Sequence, residues 1–201
     1  MSMLVTKKAP DFTATAVMPD DRFESGFSLA ALRGHYILLF FYPLDFTFVC
    51  PSEILAFNKA LDQFKKRGCE VVGVSVDSEF THLAWRKTPV EQGGIGPIKF
   101  PLVSDLSKSI ARRYGLLLDE QVALRGLFLI DREGVVRHAL INDLPLGRSV
   151  AEALRMLDAL RFHEQNGQVC PADWKEGEEA MTPTSEGVVD YLSRFAKVET
   201  S

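Results

Sequence analysis

The chain has 201 residues, of which 46% are hydrophobic and 25% charged, and its 23 basic and 27 acidic residues give a formal net charge of −4. This balance, without a long block of either sign, argues against a nucleic-acid-binding surface and against a polybasic membrane anchor. The N-terminal segment lacks the apolar core of a signal peptide, and the longest apolar run is far shorter than the roughly 20 residues of a membrane span. These features predict a soluble, cytoplasmic protein with one compact domain and an appendage.

The first part of the chain predicts loops followed by a pair of parallel strands. Residues 1–34 are punctuated by proline and glycine and predict loops with one short helical stretch. Residues 36–42, YILLFFY, form a continuous apolar run that is typical of a strand covered on both faces. Pro51 begins a predicted helix with apolar residues at helical spacing, and Gly68 ends it. Residues 71–76 then predict a second buried strand, joined to the first by a right-handed crossover.

The middle of the chain predicts shorter elements. Asp77 is a suitable N-cap for a helix that runs through Ala84. Residues 88–98 are rich in glycine and proline and predict a surface loop. A short strand at 100–103 and a helix at 107–114 follow.

The last part predicts an antiparallel hairpin, a long helix and a polar arm. Strands at 127–131 and 135–141 are joined by a link too short for a crossover. A helix follows at 150–160, and beyond it the sequence turns polar and loses its periodicity. This order of elements favours an α/β, thioredoxin-like fold over a nucleotide-binding Rossmann fold, with a mixed central sheet flanked by helices. We predict a main domain at residues 1–164 and a C-terminal arm at 165–201.

Cys50 is the first candidate for chemistry. It lies between the first strong strand and Pro51, so its sulfur is expected at the positive end of the helix dipole, which favours the reactive thiolate over the thiol. Glu53 suits the first turn of the helix but would oppose a thiolate. A cation from elsewhere in the chain, most naturally an arginine, is therefore expected nearby. Position alone is also compatible with a plainer interpretation, in which Cys50 is a small buried apolar side chain.

The residues around Cys50 resemble a known family. Pro43, Thr47 and Cys50 form a P-x-x-x-T-x-x-C pattern, and the run FFYPLDFTFVCPSE is similar to that of typical 2-Cys peroxiredoxins, the group that includes alkyl hydroperoxide reductase C. The likeness continues in order through nearly the whole chain, in the blocks GVSVDSEFTHLAW, FPLVSD, RGLFLID, LPLGRSV and VCPADW. This resemblance implies a thioredoxin-like fold and a thiol peroxidase that reduces hydrogen peroxide and organic hydroperoxides.

The resemblance also implies roles at the matching positions. Cys50 would be the peroxidatic cysteine, which attacks the hydroperoxide, breaks its O–O bond and becomes a sulfenic acid. Thr47 would direct its hydroxyl at the thiolate and the peroxide, and Pro43 would shield the sulfur from bulk water. Arg125 would stabilise both the thiolate and the polarised peroxide.

Plainer interpretations of the same residues stay open at the level of sequence. Without the cysteine in register, Thr47 is most simply a loop or cap hydroxyl and Pro43 a strand terminator. Arg125 opens a strand and is compatible with a weak surface ion pair, so that only the block RGLFLID assigns it to the site. Glu53 and Arg148 fit a supporting hydrogen-bond network in the family pattern.

Cys170 is the second candidate. It lies in the polar arm before a proline, which predicts an exposed and reactive thiol. By the resemblance it is the resolving cysteine, which condenses with the Cys50 sulfenic acid of a partner chain in an antiparallel homodimer, and such dimers assemble into a decamer. Resolution should then require local unwinding around Cys50. An idle exposed thiol is the alternative, and Cys69, which matches no motif, is predicted to be structural.

No bound cofactor and no metal are predicted. The histidines are scattered without metal-site spacing, at His35, His82, His138 and His163. The chain also lacks a Walker loop and a glycine-rich dinucleotide motif, so its reducing power must come from another protein. The resemblance implies thioredoxin or a flavoprotein disulfide reductase as this partner.

Two other functions are the alternatives. A dithiol oxidoreductase of thioredoxin type would carry C-x-x-C after the first strand, where this chain has Phe48, Val49 and a single Cys50. A non-enzymatic role as an oligomeric holdase or redox-signalling scaffold is compatible with catalysis. A Cys50→Ser protein that still suppressed the aggregation of clients would support the holdase.

Overall fold

The computed structural model describes residues 3–198, which divide into two compact units, one ending at Val150 and one beginning at Ala151. The strands described in the first unit are β1 (Thr13–Val17), β2 (Phe23–Ser28), β3 (Tyr36–Phe41), β4 (Cys69–Ser75), β5 (Leu102–Ser104), β6 (Leu117–Leu118), β7 (Val122–Ala123), β8 (Arg125–Ile130) and β9 (Val136–Asn142). Its helices are α1 (Cys50–Lys66), α2 (Glu79–Lys87) and α3 (Ser109–Arg113), with short 3-10 turns at Leu29–Leu32 and Val90–Gln92. The remaining helices are α4 (Val150–Asn166) and α5 (Ser185–Val198).

Seven strands of the first unit form one mixed sheet in the order β2-β1-β5-β4-β3-β8-β9. β4 runs parallel to both β3 and β5, whereas β8 runs antiparallel to both β3 and β9. These pairings confirm the predicted parallel pair, the antiparallel hairpin and the mixed α/β sheet. Every residue of β3 is buried, as its continuous apolar sequence predicts for a central strand.

Helix α1 packs on the sheet through one apolar face. Phe57 and Phe64 are fully buried, and the Phe57 ring stacks on Phe40 of β3 with 4.7 Å between centroids. The helix begins at Cys50 and stops before Gly68, whose φ of 69° suits a glycine just past a helix end. The first turn of α1 therefore lies just beyond the carboxyl end of β3.

The N-terminal segment contains two strands where the sequence predicts loops, and that prediction is wrong. β1 and β2 form an antiparallel pair, and β1 also pairs with β5. Their sequences, TATAV and FESGFS, mix apolar with small and polar residues, and only Ala16, Val17 and Phe27 are buried, so no continuous hydrophobic run marks them. Pairing with the distant β5 provides the stabilisation that local propensity lacks.

Helix α2 is capped by Ser78, so the prediction that Asp77 is the N-cap is wrong. The Ser78 hydroxyl accepts a hydrogen bond from the backbone N–H of Thr81 at 3.2 Å. The Asp77 carboxylate instead accepts from the backbone N–H of Asp45 at 2.7 Å, in the loop after β3. The Asp77 carboxylate is thus used for a contact with a segment that is distant along the chain, and local sequence does not reveal this contact.

The second unit consists of α4, a largely irregular arm and α5. The Phe162 ring of α4 packs on Trp174 of the arm at 4.8 Å, and Arg155 donates to the Trp174 carbonyl at 3.1 Å. Because these contacts tie α4 to the arm, the division falls at residues 150/151, ahead of the predicted boundary at 164/165. Among residues 3–198, no helix is long and apolar enough to cross a membrane.

Candidate active site

The loop between β3 and α1 leads directly to Cys50. Pro43 is buried at the start of this loop, and Thr47 lies near its end. Cys50 is the first residue of α1, and its side chain is completely buried. Phe46 adopts a φ of 52°, in the left-handed region that bulky residues rarely occupy, so contacts elsewhere must hold the loop in this shape.

Asp45 supplies those contacts. Its carboxylate accepts from the Tyr42 hydroxyl at 2.9 Å and lies 2.7 Å from Nδ1 of His82, while its backbone N–H donates to Asp77. Tyr42, Asp45 and His82 are buried, and burial raises the pKa of Tyr42 and of Asp77. Sequence reasoning missed Asp45 and His82 as supporting residues. The sequence signal that could have found them is their position as polar residues within the blocks FFYPLDFTFVCPSE and GVSVDSEFTHLAW.

The Cys50 sulfur has two polar neighbours. The Thr47 hydroxyl lies 2.9 Å from Sγ, and Nη1 of Arg125 lies 3.3 Å from it. The same hydroxyl is 2.9 Å from the Leu44 carbonyl, and its one proton can be donated either to that oxygen or to the sulfur. A thiolate accepts a hydrogen bond from the Thr47 hydroxyl, whereas a thiol would have to donate one to the Thr47 oxygen. The guanidinium, which only donates, favours the thiolate.

Glu53 links two arginines behind the sulfur. Arg125 donates from Nη1 to Oε2 of Glu53 at 2.7 Å. Arg148 donates from Nε to Oε1 at 2.8 Å and from Nη2 to Oε2 at 3.0 Å, which makes a bidentate pair. The backbone N–H of Arg148 adds a bond to Oε1 at 2.9 Å. The carboxylate therefore fixes the orientation of both guanidinium groups.

Backbone carbonyls complete this network. Nη1 of Arg148 donates to the carbonyls of Phe41 at 2.8 Å and Gly126 at 2.6 Å, and Nε of Arg125 donates to that of Leu144 at 2.7 Å. Burial lowers the pKa of Arg148, but an arginine stays charged in proteins.

Charge balance in the network favours an anion at the sulfur. Arg125, Arg148 and Glu53 have no more than 9% of their surface exposed. Two cations and one carboxylate leave one positive charge in a buried site, and a Cys50 thiolate would neutralise it. The structure thus brings together Cys50, Thr47, Glu53, Arg125 and Arg148, which the sequence analysis had singled out.

The other two cysteines have different surroundings. Cys170 lies in the second unit, is partly exposed, and has its sulfur 3.5 Å from the Ala159 carbonyl. Burial raises its pKa, and the nearby Arg155 opposes this rise. Cys69 at the start of β4 is 1% exposed, and burial raises its pKa to about 12. A protonated, covered thiol is inert, which supports a structural role for Cys69.

The site can supply a sulfur nucleophile together with hydroxyl and guanidinium donors for a small polar substrate. Within residues 3–198, no cluster of His, Cys, Asp or Glu side chains is placed to hold a metal ion.

Comparison with known proteins gives consistent matches along the chain. The AhpC/TSA family model matches residues 5–139, and a model of the C-terminal domain of 1-Cys peroxiredoxin matches residues 159–194. Alkyl hydroperoxide reductase C of Helicobacter pylori (strain J99) is 54% identical over 191 residues, which cover 94% of this chain and 96% of the relative. Peroxiredoxin-1 of Gallus gallus is 53% identical with the same coverage.

A solved structure is equally similar. The reduced 2-Cys peroxiredoxin of Plasmodium vivax superposes with a TM-score of 0.94 at 53% identity, covering 96% of this chain and 100% of that one. This similarity confirms the predicted thioredoxin-like fold.

Proposed function

The chain belongs to the AhpC/TSA family and is a peroxiredoxin, a thiol peroxidase, and from this premise we propose that Cys50 is its peroxidatic cysteine and Cys170 its resolving cysteine. One observation carries the assignment of Cys50: its sulfur lies within hydrogen-bonding distance of both the Thr47 hydroxyl and the Arg125 guanidinium. A nucleophilic sulfur that faces two donors is suited to attack on an oxygen atom that gains negative charge as it leaves.

In the first step the Cys50 thiolate attacks one oxygen of a hydroperoxide. The S–O bond forms as the O–O bond breaks, and its electron pair leaves on the other oxygen as hydroxide or alkoxide, which takes a proton from solvent. The sulfur is oxidised to a sulfenic acid, and the peroxide is reduced to water or an alcohol. Thr47 and Arg125 hold the peroxide in line and stabilise the developing charge, and Pro43 keeps bulk water from the sulfur.

Glu53 and Arg148 are positioning residues in this proposal. The bidentate pair between them orients the carboxylate, which in turn holds Nη1 of Arg125 beside the sulfur. Neither residue needs to touch the substrate. Their contribution is a preorganised charge distribution in a site that excludes water.

In the second step the sulfenic acid condenses with the thiol of Cys170 from a partner chain, forming an intersubunit disulfide and releasing water. Cys50 is completely buried in the first turn of α1, so this step requires local unwinding of that turn. A dithiol donor, thioredoxin or a flavoprotein disulfide reductase, then returns two electrons and two protons.

We propose that the working unit is an antiparallel homodimer that assembles into a decamer in the cytoplasm. An intersubunit disulfide requires a second copy of the chain. The reducing cytosol provides the thiol donors that the cycle consumes. Size-exclusion chromatography with light scattering on the reduced protein tests the assembly.

The catalytic assignment is tested with one equivalent of hydrogen peroxide on the pre-reduced protein, followed by a non-reducing gel and intact-mass analysis. We expect the wild type to form a disulfide-linked dimer and Cys170→Ser to stop at a protein one oxygen heavier. Cys50→Ser should do neither. Cys69→Ala is the matched control and should behave as the wild type. A wild-type protein that stays reduced would refute the assignment.

A further inference from the structure

The segment after α4 folds into a compact turn that carries Cys170. The backbone N–H of Trp174 donates to the Pro171 carbonyl at 3.3 Å, and its indole Nε1 donates to the Glu178 carbonyl at 3.0 Å. The Trp174 side chain is 1% exposed and packs on Phe162 of α4. The turn is thus pinned to α4 at its C-terminal end, four residues after Cys170.

Arg155 adds a polar contact at the same point. Glu152 accepts from its Nε at 2.6 Å and from its Nη2 at 2.7 Å, which orients the guanidinium. This leaves Nη1 directed at the Trp174 carbonyl, to which it donates at 3.1 Å. The Arg155 side chain is 23% exposed, so water can compete for this contact, as it cannot for the buried indole ring.

We propose that Arg155 is a positioning residue for the resolving step: its contact with the Trp174 carbonyl holds the Cys170 turn closed on α4, and the thiol becomes available when this contact opens. The proposal rests on the function proposed above, in which Cys170 is the resolving cysteine.

The closed turn keeps Cys170 in its less reactive form. Its sulfur lies 3.5 Å from the Ala159 carbonyl, a contact in which only a protonated thiol can donate. Burial raises the pKa of Cys170 in this position by more than the nearby Arg155 lowers it. Because the thiolate is the attacking species, opening the turn both exposes the sulfur and hydrates its charge. The Arg155 contact is therefore placed to control the rate of the second step and leave the first step unchanged.

Alkylation of the reduced full-length chain by N-ethylmaleimide tests this contact without peroxide. Peptide mass spectrometry at successive times gives separate rates for Cys170 and Cys69. Arg155→Met removes the donor and should raise the Cys170 rate by up to about tenfold, as expected for the loss of a charged hydrogen bond, because exposure of the sulfur outweighs the loss of the Arg155 charge that lowers the pKa of Cys170. Glu152→Gln, which keeps the donor but loosens its orientation, should give a smaller rise.

Arg161→Met is the matched control, because Arg161 lies on the same helix with 24% of its side chain exposed and pairs with Asp158. It should leave the Cys170 rate within about twofold of wild type. The buried Cys69 reports global unfolding, and its rate should not change in any variant. Any of three results refutes the proposal. Cys170 is alkylated at the wild-type rate in Arg155→Met, or it is alkylated as fast in Arg161→Met as in Arg155→Met, or the alkylation of Cys69 becomes faster in the same variants.

A peroxide experiment separates this proposal from the function beneath it. After one equivalent of hydrogen peroxide, Arg155→Met should form the disulfide-linked dimer faster than wild type and should form sulfenic acid at the same rate. Slower formation of the disulfide would overturn the proposal. If the wild type formed no disulfide at all, the resolving role would fail, whatever the alkylation rates showed about the turn.

Discussion

Cys50 and Cys170 differ in what holds each sulfur. Cys50 is surrounded by a buried network that joins the loop after β3, the first turn of α1, the start of β8 and the segment before α4. Cys170 has one weak contact with a helix carbonyl, and its turn is held by neighbouring residues of the same unit. This difference fits the roles proposed for them, in which Cys50 needs fixed charges around its sulfur and Cys170 needs contacts that can be released. Disruption of the Cys50 network should therefore lower the free energy of unfolding and slow the first oxidation. Disruption at Cys170 should change the rate of disulfide formation.

The largest effect is expected from breaking the charge network at Arg148. Arg148→Met leaves Glu53 with half its charged partners and frees the carbonyls of Phe41 and Gly126 in a buried site. Loss of one partner of a buried pair costs about 3–5 kcal/mol. Urea unfolding should show this loss. The control Arg137→Met removes a partly exposed guanidinium from Asp131, whose carboxylate keeps its bonds from two backbone N–H groups, and should cost less than about 1 kcal/mol. Equal losses would mean that the network adds no stability.

Substitutions of Arg125 test whether the network also accelerates the first oxidation. Arg125→Met should lower the rate of sulfenic acid formation about 100-fold, because the guanidinium beside the sulfur stabilises both the thiolate and the leaving oxygen. Arg125→Lys should recover part of this loss, since it keeps the charge but cannot donate as a planar fork. Stopped-flow measurement of the first oxidation gives the rate. An unchanged rate in Arg125→Met would remove Arg125 from the catalytic machinery.

Thr47 gives a smaller, more specific effect. Thr47→Val preserves the shape of the side chain but removes the hydroxyl that lies 2.9 Å from the sulfur, and the first oxidation should slow about tenfold. Thr47→Ser keeps the hydroxyl and should stay close to wild type. The same stopped-flow assay separates them. If both variants slowed equally, methyl packing would explain the role of Thr47 better than its hydroxyl does.

Cys69 gives the smallest expected effect, a change in how the stability of the fold depends on pH. Burial raises its pKa to about 12 in the folded chain, against about 8.5 for a free thiol, so its proton stabilises the fold at low pH, and this stability is lost as pH rises between the two values. From pH 9 to pH 10 the wild type should lose about 1 kcal/mol more than Cys69→Val does. Urea titrations at both pH values measure the difference. Identical pH dependence in the two proteins would contradict a buried, protonated Cys69.

The fold and the site were predictable from sequence to different extents. β3, α1 and β4 carry apolar patterns strong enough to be predicted locally. β1 and β2 do not, because β1 is stabilised by pairing with the distant β5 and β2 by pairing with β1. Cys50 is singled out by its position before Pro51, but only the family pattern distinguishes it from a buried structural cysteine. Its charged partners cannot be found in this way, since Arg125 lies 75 residues from Cys50 along the chain, and only the family blocks pointed to it.

Contacts made by ordinary residue types were the hardest to predict. An aspartate after a strand is a reasonable helix cap, yet Asp77 bonds the backbone of Asp45. His82 lies on a helix within the block GVSVDSEFTHLAW, but only the tertiary structure shows that its ring lies 2.7 Å from the Asp45 carboxylate. Both contacts join segments that local patterns treat separately.

The separation of Glu53 and Arg148 by 95 residues also bears on how the protein is made. At a synthesis rate of about 5–20 residues per second, roughly 5–20 s pass between the emergence of these two residues from the ribosome. During that time Cys50 lacks Arg148, and for most of it Arg125 as well, so the charged network around its sulfur is incomplete. If Cys50 is the peroxidatic cysteine, as proposed, its sensitivity to peroxide is acquired only when synthesis is nearly complete.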